Sequence, residues 1–294
     1  MKVATAAYPT EYLRDWQAYV DKITHWVAEA AGSGADLLVF PEYGAMELAT
    51  LAGRAVAHDL EACIHAVADR IPAADALHSD LAGRFGVHIL AASAPVLDVA
   101  VAARPVNRAR LFTPTGAMGV QDKQVMTRFE REDWDIVAGG PLRLFDTALG
   151  RIGILICYDS EFPLLGRALA EAEILLVPSV TEALSGYSRV RIGAQARALE
   201  AQCVAVMSSV VGHADWSQVI DVSVGRGGVF GPPDKGFPAT GVLAEGVLNQ
   251  PGWTYAEVDL EAVAEVRRDG VVLNRAHWGD QAGRDTVPVA TLLR

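Results

Sequence analysis

Apolar and polar residues alternate along this chain with two periods, and the switches between them mark out a succession of strands and helices. Val3 to Tyr8 is a short apolar run of the kind that forms a buried strand. Leu13, Trp16, Val20, Ile23 and Val27 then recur at helical spacing, which predicts an amphipathic helix over 11–31 closed by Gly32. Asp36-Leu37-Leu38-Val39-Phe40 predicts a second buried strand. Further aliphatic runs predict strands at 87–92, 109–113, 152–157, 174–177, 204–208 and 254–258, with helices at 59–70, 162–171 and 190–202. Such alternation belongs to the α/β or layered α+β class. No repeat, low-complexity tract or linker-like stretch divides the chain, so 1–294 is expected to form one domain. The glycine-rich stretch from Gly225 to Gly236 lacks the G-K-[ST] ending of a phosphate loop and reads as a hairpin or turn.

Composition narrows the class. At 294 residues, 51% hydrophobic and 21% charged, the chain has the apolar content to fill a sizeable core. No apolar run approaches the roughly 20 residues of a membrane span. The N-terminus turns polar at Tyr12-Leu13-Arg14-Asp15, the pattern of an opening strand rather than a secretory leader. A formal charge of -11, with no basic block to offset it, repels phosphate backbones and argues against a nucleic-acid partner. Cys63, Cys157 and Cys203 form neither a C-x-x-C pair nor a metal-ligand spacing, which suits a reducing cytoplasm.

Three fragments carry candidate chemistry. In Ile154-Leu155-Ile156-Cys157-Tyr158-Asp159-Ser160-Glu161-Phe162-Pro163 a hydrophobic strand ends at a cysteine and a helix is expected a few residues on, with Asp159 or Ser160 as its cap. A thiol at a helix N-terminus is acidified and attacks as thiolate, whereas a buried cysteine elsewhere is inert. Leu37-Leu38-Val39-Phe40-Pro41-Glu42-Tyr43-Gly44 ends a strand with an acid, which either faces a cleft at the strand ends or is an ordinary solvated glutamate. In Gln121-Asp122-Lys123-Gln124, Lys123 taken alone fits a surface lysine. Other nucleophile systems find no support: Ser179 and Ser185 stand in no G-x-S-x-G elbow, and His88 and His213 sit in no motif that would pair them with a cysteine. His58 and His65 lack the H-E-x-x-H arrangement, and Cys63 between them reads as a packing thiol.

Taken together and in this order, the three fragments resemble the nitrilase superfamily of carbon-nitrogen hydrolases. Phe40-Pro41-Glu42 is similar to its glutamate motif, Asp122-Lys123 to its lysine motif, and Ile156 through Pro163 to its cysteine motif. The likeness extends from the opening strand through Arg197-Ala198-Leu199-Glu200-Ala201-Gln202 to the region 228–241. It departs after the lysine, where Gln124-Val125-Met126-Thr127 replaces a His-Leu-Phe-like continuation.

The resemblance implies a four-layer αββα sandwich pairing into a homodimer or larger assembly, with the tail at about 275–294 in oligomer contacts. It implies hydrolysis of a small amide by a Glu42-Lys123-Cys157 triad through a thioester, with no metal or organic cofactor. A second glutamate is expected to hold Lys123, with Glu130 the candidate and Glu132 the competitor. Tyr43, Phe129, Trp134 and Tyr158 are the expected substrate-binding residues, the Tyr158 N–H joining Lys123 at the oxyanion. Nitrile hydrolysis, acyl transfer and a non-catalytic binding role remain alternatives for the same residues. Arg189 and Arg191 are candidates for a substrate carboxylate or are simply solvated.

Overall fold

A computed structural model describes residues 1–284 together with 286 and 290, so part of the 275–294 tail expected in oligomer contacts lies outside the described residues. The first half of the chain contributes β1 (Lys2–Pro9), α1 (Trp16–Gly32), β2 (Leu37–Val39), α2 (Arg54–His58), α3 (Leu60–Ala68), α4 (Ile71–Phe85), β3 (His88–Val96), β4 (Val106–Phe112) and β5 (Met118–Asp122). The second half contributes α5 (Arg128–Glu132), β6 (Leu144–Thr147), β7 (Gly150–Ile154), α6 (Pro163–Ala168), β8 (Ile174–Ser179), α7 (Leu184–Ala201), β9 (Val204–His213), β10 (Val222–Ser223), β11 (Gly228–Phe230), β12 (Val242–Glu245), β13 (Gly252–Glu257) and α8 (Leu260–Asp269).

Among the described residues, hydrogen bonding links β5-β4-β3-β2-β1-β13 into one block of six strands and β6-β7-β8-β9-β11-β12 into another. The blocks join where Ala7–Pro9 of β1 pair in parallel with Ser209–Val211 of β9. Alternation along the strands separates the layers. Val3, Leu37, Val39, Leu90, Ala109 and Leu111 share a core with Val204, Val206 and Val229, which packs one sheet on the other. The opposite face of the first sheet, with Ala4, Ala6, Tyr8, Leu38 and Phe40, meets Tyr19, Ile23 and Val27 of α1, Ile64 and Val67 of α3, and Leu81 of α4. On the far side of the second sheet lie Val190, Ala194 and Ala198 of α7 and Val263 of α8. The result is the expected four-layer αββα sandwich. No helix among the described residues is long and apolar enough to cross a membrane.

Several boundaries differ from the sequence reading for identifiable reasons. The first helix begins at Trp16 rather than near 11, because Asp15 caps it by accepting the Ala18 N–H at 2.9 Å, while Leu13 is tied through both its N–H and its carbonyl to the Thr50 hydroxyl. Helix α7 begins at Leu184, not near 190. Its buried stripe of Gly186, Tyr187, Val190, Gly193, Ala194, Arg197 and Ala198 is built mostly of small residues that a search for large aliphatic side chains passes over. The same blindness hid α4, whose buried face is Ile71, Ala74, His78, Leu81 and Ala82. The stretch from Gly225 is a hairpin, with β11 and β12 antiparallel across a long loop.

Candidate active site

Glu42, Lys123 and Cys157 come from distant parts of the chain and meet at strand ends. Glu42 follows β2 by way of Phe40 and Pro41, Lys123 follows β5 directly, and Cys157 follows β7 after Leu155, whose N–H still reaches the Leu176 carbonyl of β8 at 2.9 Å. β2 and β7 lie in the parallel parts of their sheets, and clefts beyond the carboxyl ends of such strands are where side chains converge. Both sharp exits use backbone that L residues rarely adopt: Tyr43 has φ 52° and Cys157 φ 50°. A non-glycine residue in this region costs on the order of 1–2 kcal/mol, a strain that clusters where a side chain must be aimed. Helix α7 can approach the cysteine turn only because residue 193 is glycine, since a Cβ there would stand 2.8 Å from the Ser160 carbonyl oxygen.

Lys123 is the hub. Its Nζ donates to Glu42 Oε1 at 2.7 Å and to Glu130 Oε2 at 2.7 Å, with all three side chains no more than 2% exposed. Glu130 is placed by α5, where Thr127 caps the helix and its N–H and hydroxyl both donate to Glu130 Oε2 at 2.8 Å. The Tyr43 hydroxyl donates to the other oxygen, Glu130 Oε1, at 2.8 Å. Glu42 Oε1 also accepts from Asn107 Nδ2 at 2.9 Å, and Oε2 accepts from the Val180 N–H at 3.2 Å. The Cys157 thiol donates to the Val180 carbonyl at 3.5 Å, and the N–H of that same residue donates to Glu42 Oε2.

These contacts set the proton affinities. Burial raises Glu42 above the ordinary carboxylate range and Glu130 adds to it, against the pull of Lys123. Burial acts on Glu130 too, but Lys123, Thr127 and Tyr43 outweigh it and hold that carboxyl low. For Lys123 burial opposes the charge, and Glu130, Glu42 and Cys157 more than compensate, leaving the amine firmly protonated. The Cys157 thiol is pushed well above its usual value by burial and by Glu42. The resting site therefore pairs a proton-holding thiol with a carboxyl of raised proton affinity, beside a fixed cation.

That outcome corrects one expectation. Cys157 does not sit at the N-terminus of an α-helix: it opens a single 3-10 turn, Cys157–Glu161, and α6 starts only at Pro163 with no side-chain cap. Nor do Asp159 and Ser160 cap that helix. The Ser160 hydroxyl donates to the Cys157 carbonyl at 2.7 Å. Asp159 accepts the N–H groups of Gln124, Val125 and Ile156 at 3.1, 2.8 and 3.2 Å, so it ties the lysine loop to the cysteine loop.

The cavity that opens onto Cys157 measures about 540 Å³, and its walls include Tyr43, Thr127, Phe129, Tyr158, Thr181 and Arg189. Of the expected substrate-binding residues, Trp134 is misplaced. It is buried, packs on Tyr43 and Phe129, donates its indole N–H to the Leu60 carbonyl at 2.7 Å, and is absent from the cavity wall. Glu132 also falls away, exposed and paired with Arg128 at 2.6 Å, which leaves Glu130 as the second glutamate at the site. Arg189 reaches the cavity and faces Glu161 at 3.4 Å, whereas Arg191 turns to Glu245 at 2.5 Å. A larger depression of about 770 Å³, between α6 and residues 272–283, contains none of the triad.

Sequence reasoning missed Asn107 and Val180. Asn107 stands beside Arg108 and Arg110 in Val106-Asn107-Arg108-Ala109-Arg110-Leu111-Phe112, so no break in an apolar run singled it out; Val180 acts through its backbone and had no signal either. His58, Cys63 and His65 are apart from this chemistry, as read: the Cys63 thiol donates to the Leu60 carbonyl at 3.3 Å, and His65 lies 3.5 Å from Glu61. Among the described residues no group of three or more His, Cys, Asp or Glu side chains is placed to hold a metal ion.

The sequence profile of the carbon-nitrogen hydrolase family matches residues 2–268. A Bacillus subtilis protein described as a probable hydrolase is 32% identical over 275 residues, covering 92% of this chain and 52% of its own length. A deaminated glutathione amidase of Yersinia enterocolitica is 31% identical over 146 residues, 46% of this chain and 51% of that protein. The chain thus spans about half the length of these curated relatives. Among solved structures, Nit3 of Saccharomyces cerevisiae, a member of branch 10 of the nitrilase superfamily, superposes with a TM-score of 0.72 at 21% identity, over 95% of this chain and 96% of that one. The amidase from Nesterenkonia sp. AN1, seen after Michael addition of acrylamide at its active-site cysteine, gives 0.67 at 22% identity over 92% and 97%. At these identities the structural likeness establishes a shared fold.

Proposed function

The chain belongs to the carbon-nitrogen hydrolase family, and from that premise we propose that it hydrolyses a non-peptide C–N bond of a small amide through a thioester on Cys157, releasing ammonia or an amine. The observation that carries this reading is the buried Lys123 amine, held at 2.7 Å from both Glu42 and Glu130 in the same site as the Cys157 thiol. An amide is a poor electrophile and needs a strong nucleophile together with a preorganised cation for the oxyanion.

In the proposed cycle Glu42 takes the Cys157 proton as sulfur adds to the carbonyl carbon and the carbonyl π electrons move onto oxygen. Lys123 and the Tyr158 N–H stabilise that oxyanion, a role in which a single donor typically contributes about 3 kcal/mol. On collapse the C–N bond breaks, and Glu42 returns the proton to the departing nitrogen. Its raised proton affinity suits both directions of transfer. Glu42 then deprotonates a water that attacks the thioester, and collapse expels the Cys157 thiolate, which recovers a proton as the acid leaves. Glu130 holds Lys123 and Tyr43 holds Glu130, while Phe129, Tyr158 and Arg189 face the substrate. The cycle needs no metal or organic cofactor.

The same reading takes 1–294 as one catalytic domain of a cytoplasmic homodimer or larger homo-oligomer. The exposed apolar side chains Leu164 on α6 and Ile192 and Leu199 on α7 support association through those helices. The test is ammonia release from a panel of primary amides, N-carbamoyl amino acids and nitriles, with Cys157→Ala as control. Release from an amide or carbamoyl compound, abolished in the variant, is the expected result. Release confined to nitriles moves the reading to a nitrile hydrolase, and none across the panel, with a Cys157 thiol no more reactive than Cys63 or Cys203, moves it to a binding role.

A further inference from the structure

Asn107 is a polar side chain near the start of β4, 0% exposed. Its amide nitrogen donates to Glu42 Oε1 at 2.9 Å. Its Oδ1 is buried and meets no hydrogen-bond donor among the described residues. A buried acceptor left without a partner costs stability, and a native fold tolerates one where the rest of the side chain is needed. The orientation of the amide follows from its neighbour, since turning it over would set Oδ1 against a carboxylate oxygen.

The lone pairs on Glu42 show what the nitrogen does. Each carboxylate oxygen offers about two acceptor sites. On Oε1 both are occupied, by Lys123 Nζ at 2.7 Å and Asn107 Nδ2 at 2.9 Å. On Oε2 one is occupied, by the Val180 N–H at 3.2 Å. The remaining site is on Oε2, the oxygen bonded to Val180, and the Val180 carbonyl in turn accepts the Cys157 thiol at 3.5 Å. The backbone adds a second link, because the Asn107 carbonyl accepts the Lys123 N–H at 2.9 Å, so one residue of β4 sets the positions of both the acid and the amine.

We propose that Asn107 is a positioning residue for the general base: by filling the second site on Glu42 Oε1 it reserves Oε2 for the Cys157 proton and favours the ionised carboxyl. The proposal rests on the reading of Glu42 as the base for Cys157. It does not depend on which substrate is cleaved, and the experiment below separates the two.

Asn107→Leu keeps the branch at Cγ, at greater bulk, and removes donor and orphaned acceptor together; Asn107→Asp keeps the shape and replaces the donor with a second acid. Alkylation of Cys157 by iodoacetamide, followed by intact mass between about pH 5 and pH 10, reads the base without any substrate. A donor to the charged form lowers the pKa of a carboxyl, so its loss raises Glu42 further and the base acts only at higher pH. The acid limb of the alkylation profile should move up by roughly 0.5–1 pH unit in Asn107→Leu and by more in Asn107→Asp, as a lost donor and an added like charge dictate. With any amide the enzyme turns over, kcat should fall on the order of tenfold at neutral pH with KM changed less than about twofold. A profile that does not move in either folded variant overturns the proposal, even if amides are hydrolysed. A shifted profile with no amide turned over leaves the proposal standing and sinks the amidase reading.

Discussion

Replacing Lys123 by Met tests the reasoning about the site through stability alone. The side chain fits the same space but removes two charge-assisted hydrogen bonds of 2.7 Å from a place where neither partner reaches water. Glu130 keeps the Thr127 and Tyr43 donors, and Glu42 keeps Asn107 and Val180, so hydrogen bonding survives in part. What is lost is the neutralising charge, and stripping one partner from a buried ionic cluster costs about 3–5 kcal/mol. The escape is protonation of the orphaned acids. With the cation gone, Glu42, already above the unfolded value, rises further, and Glu130 passes from below that value to above it. Groups of that kind contribute stability below the unfolded pKa and lose it as pH climbs through the folded one. The deficit of Lys123→Met is therefore largest near pH 8 and shrinks toward pH 5. Urea unfolding followed by tryptophan fluorescence at several pH values measures it. A deficit below about 1 kcal/mol at neutral pH, the size of an exposed pair, or one that does not narrow on acidification, would refute the account of Lys123 as the charge that holds two acids together.

Three further outcomes follow from the same contacts. Glu130→Gln should lower kcat by about 10²-fold or more through loss of the charge that holds the transition-state donor, whereas Glu132→Gln, which breaks only an exposed i,i+4 pair, should leave activity unchanged and cost no more than about 0.5 kcal/mol; steady-state kinetics of the two variants decide it. Trp134→Ala should destabilise by about 3–5 kcal/mol without raising KM by more than about twofold, and a large rise in KM alone would return Trp134 to the substrate wall. His78, stacked on Phe112 and bonded at 2.7 Å to the Ala74 carbonyl, is driven by burial down to about 4. A base with a depressed folded pKa loses stability as pH falls, so between the ordinary histidine value of 6.5 and about 4 the fold should weaken by roughly 3 kcal/mol through this group. Denaturation of His78→Leu should lack that component of the acid slope.

The contrast between Glu130 and Glu132 shows where the sequence stops informing. Strand ends carrying Glu42 and Cys157 were legible because aliphatic runs such as Leu37-Leu38-Val39 and Ile152 to Ile156 have one physical use, burial inside a sheet, and a polar side chain just beyond them points into whatever lies at the edge. Alternation of such runs with helices marked the α/β or layered α+β class, and the four layers were implied by the family resemblance. Alternation says nothing of α4 or the first turns of α7, where alanine, glycine and histidine occupy the buried stripe. Trp134 was read as lining because an aromatic residue near a catalytic motif looks alike whether it faces a cavity or the core; only its bond to the Leu60 carbonyl tells them apart. Local spacing makes Asp159 a candidate helix cap, but its three donors include two from a loop 34 and 35 positions away in sequence, a pairing no local pattern encodes. The acidity of Cys157 was misjudged for the same reason: the turn after it is local, while the burial and the Glu42 charge that raise it are tertiary.

The central claim is a covalent acyl intermediate on Cys157, and intact-mass measurement of the protein quenched in acid during turnover of a reactive amide, with peptide mapping, tests it most directly. The account predicts a transient mass increase equal to the acyl group, carried by the peptide containing Cys157, absent from Cys157→Ala and formed far more slowly when Glu42 is replaced by Gln and the thiol lacks its base. Amide hydrolysis proceeding at the wild-type rate in Cys157→Ala, or an acyl group mapped to Cys63 or Cys203 instead, would contradict it.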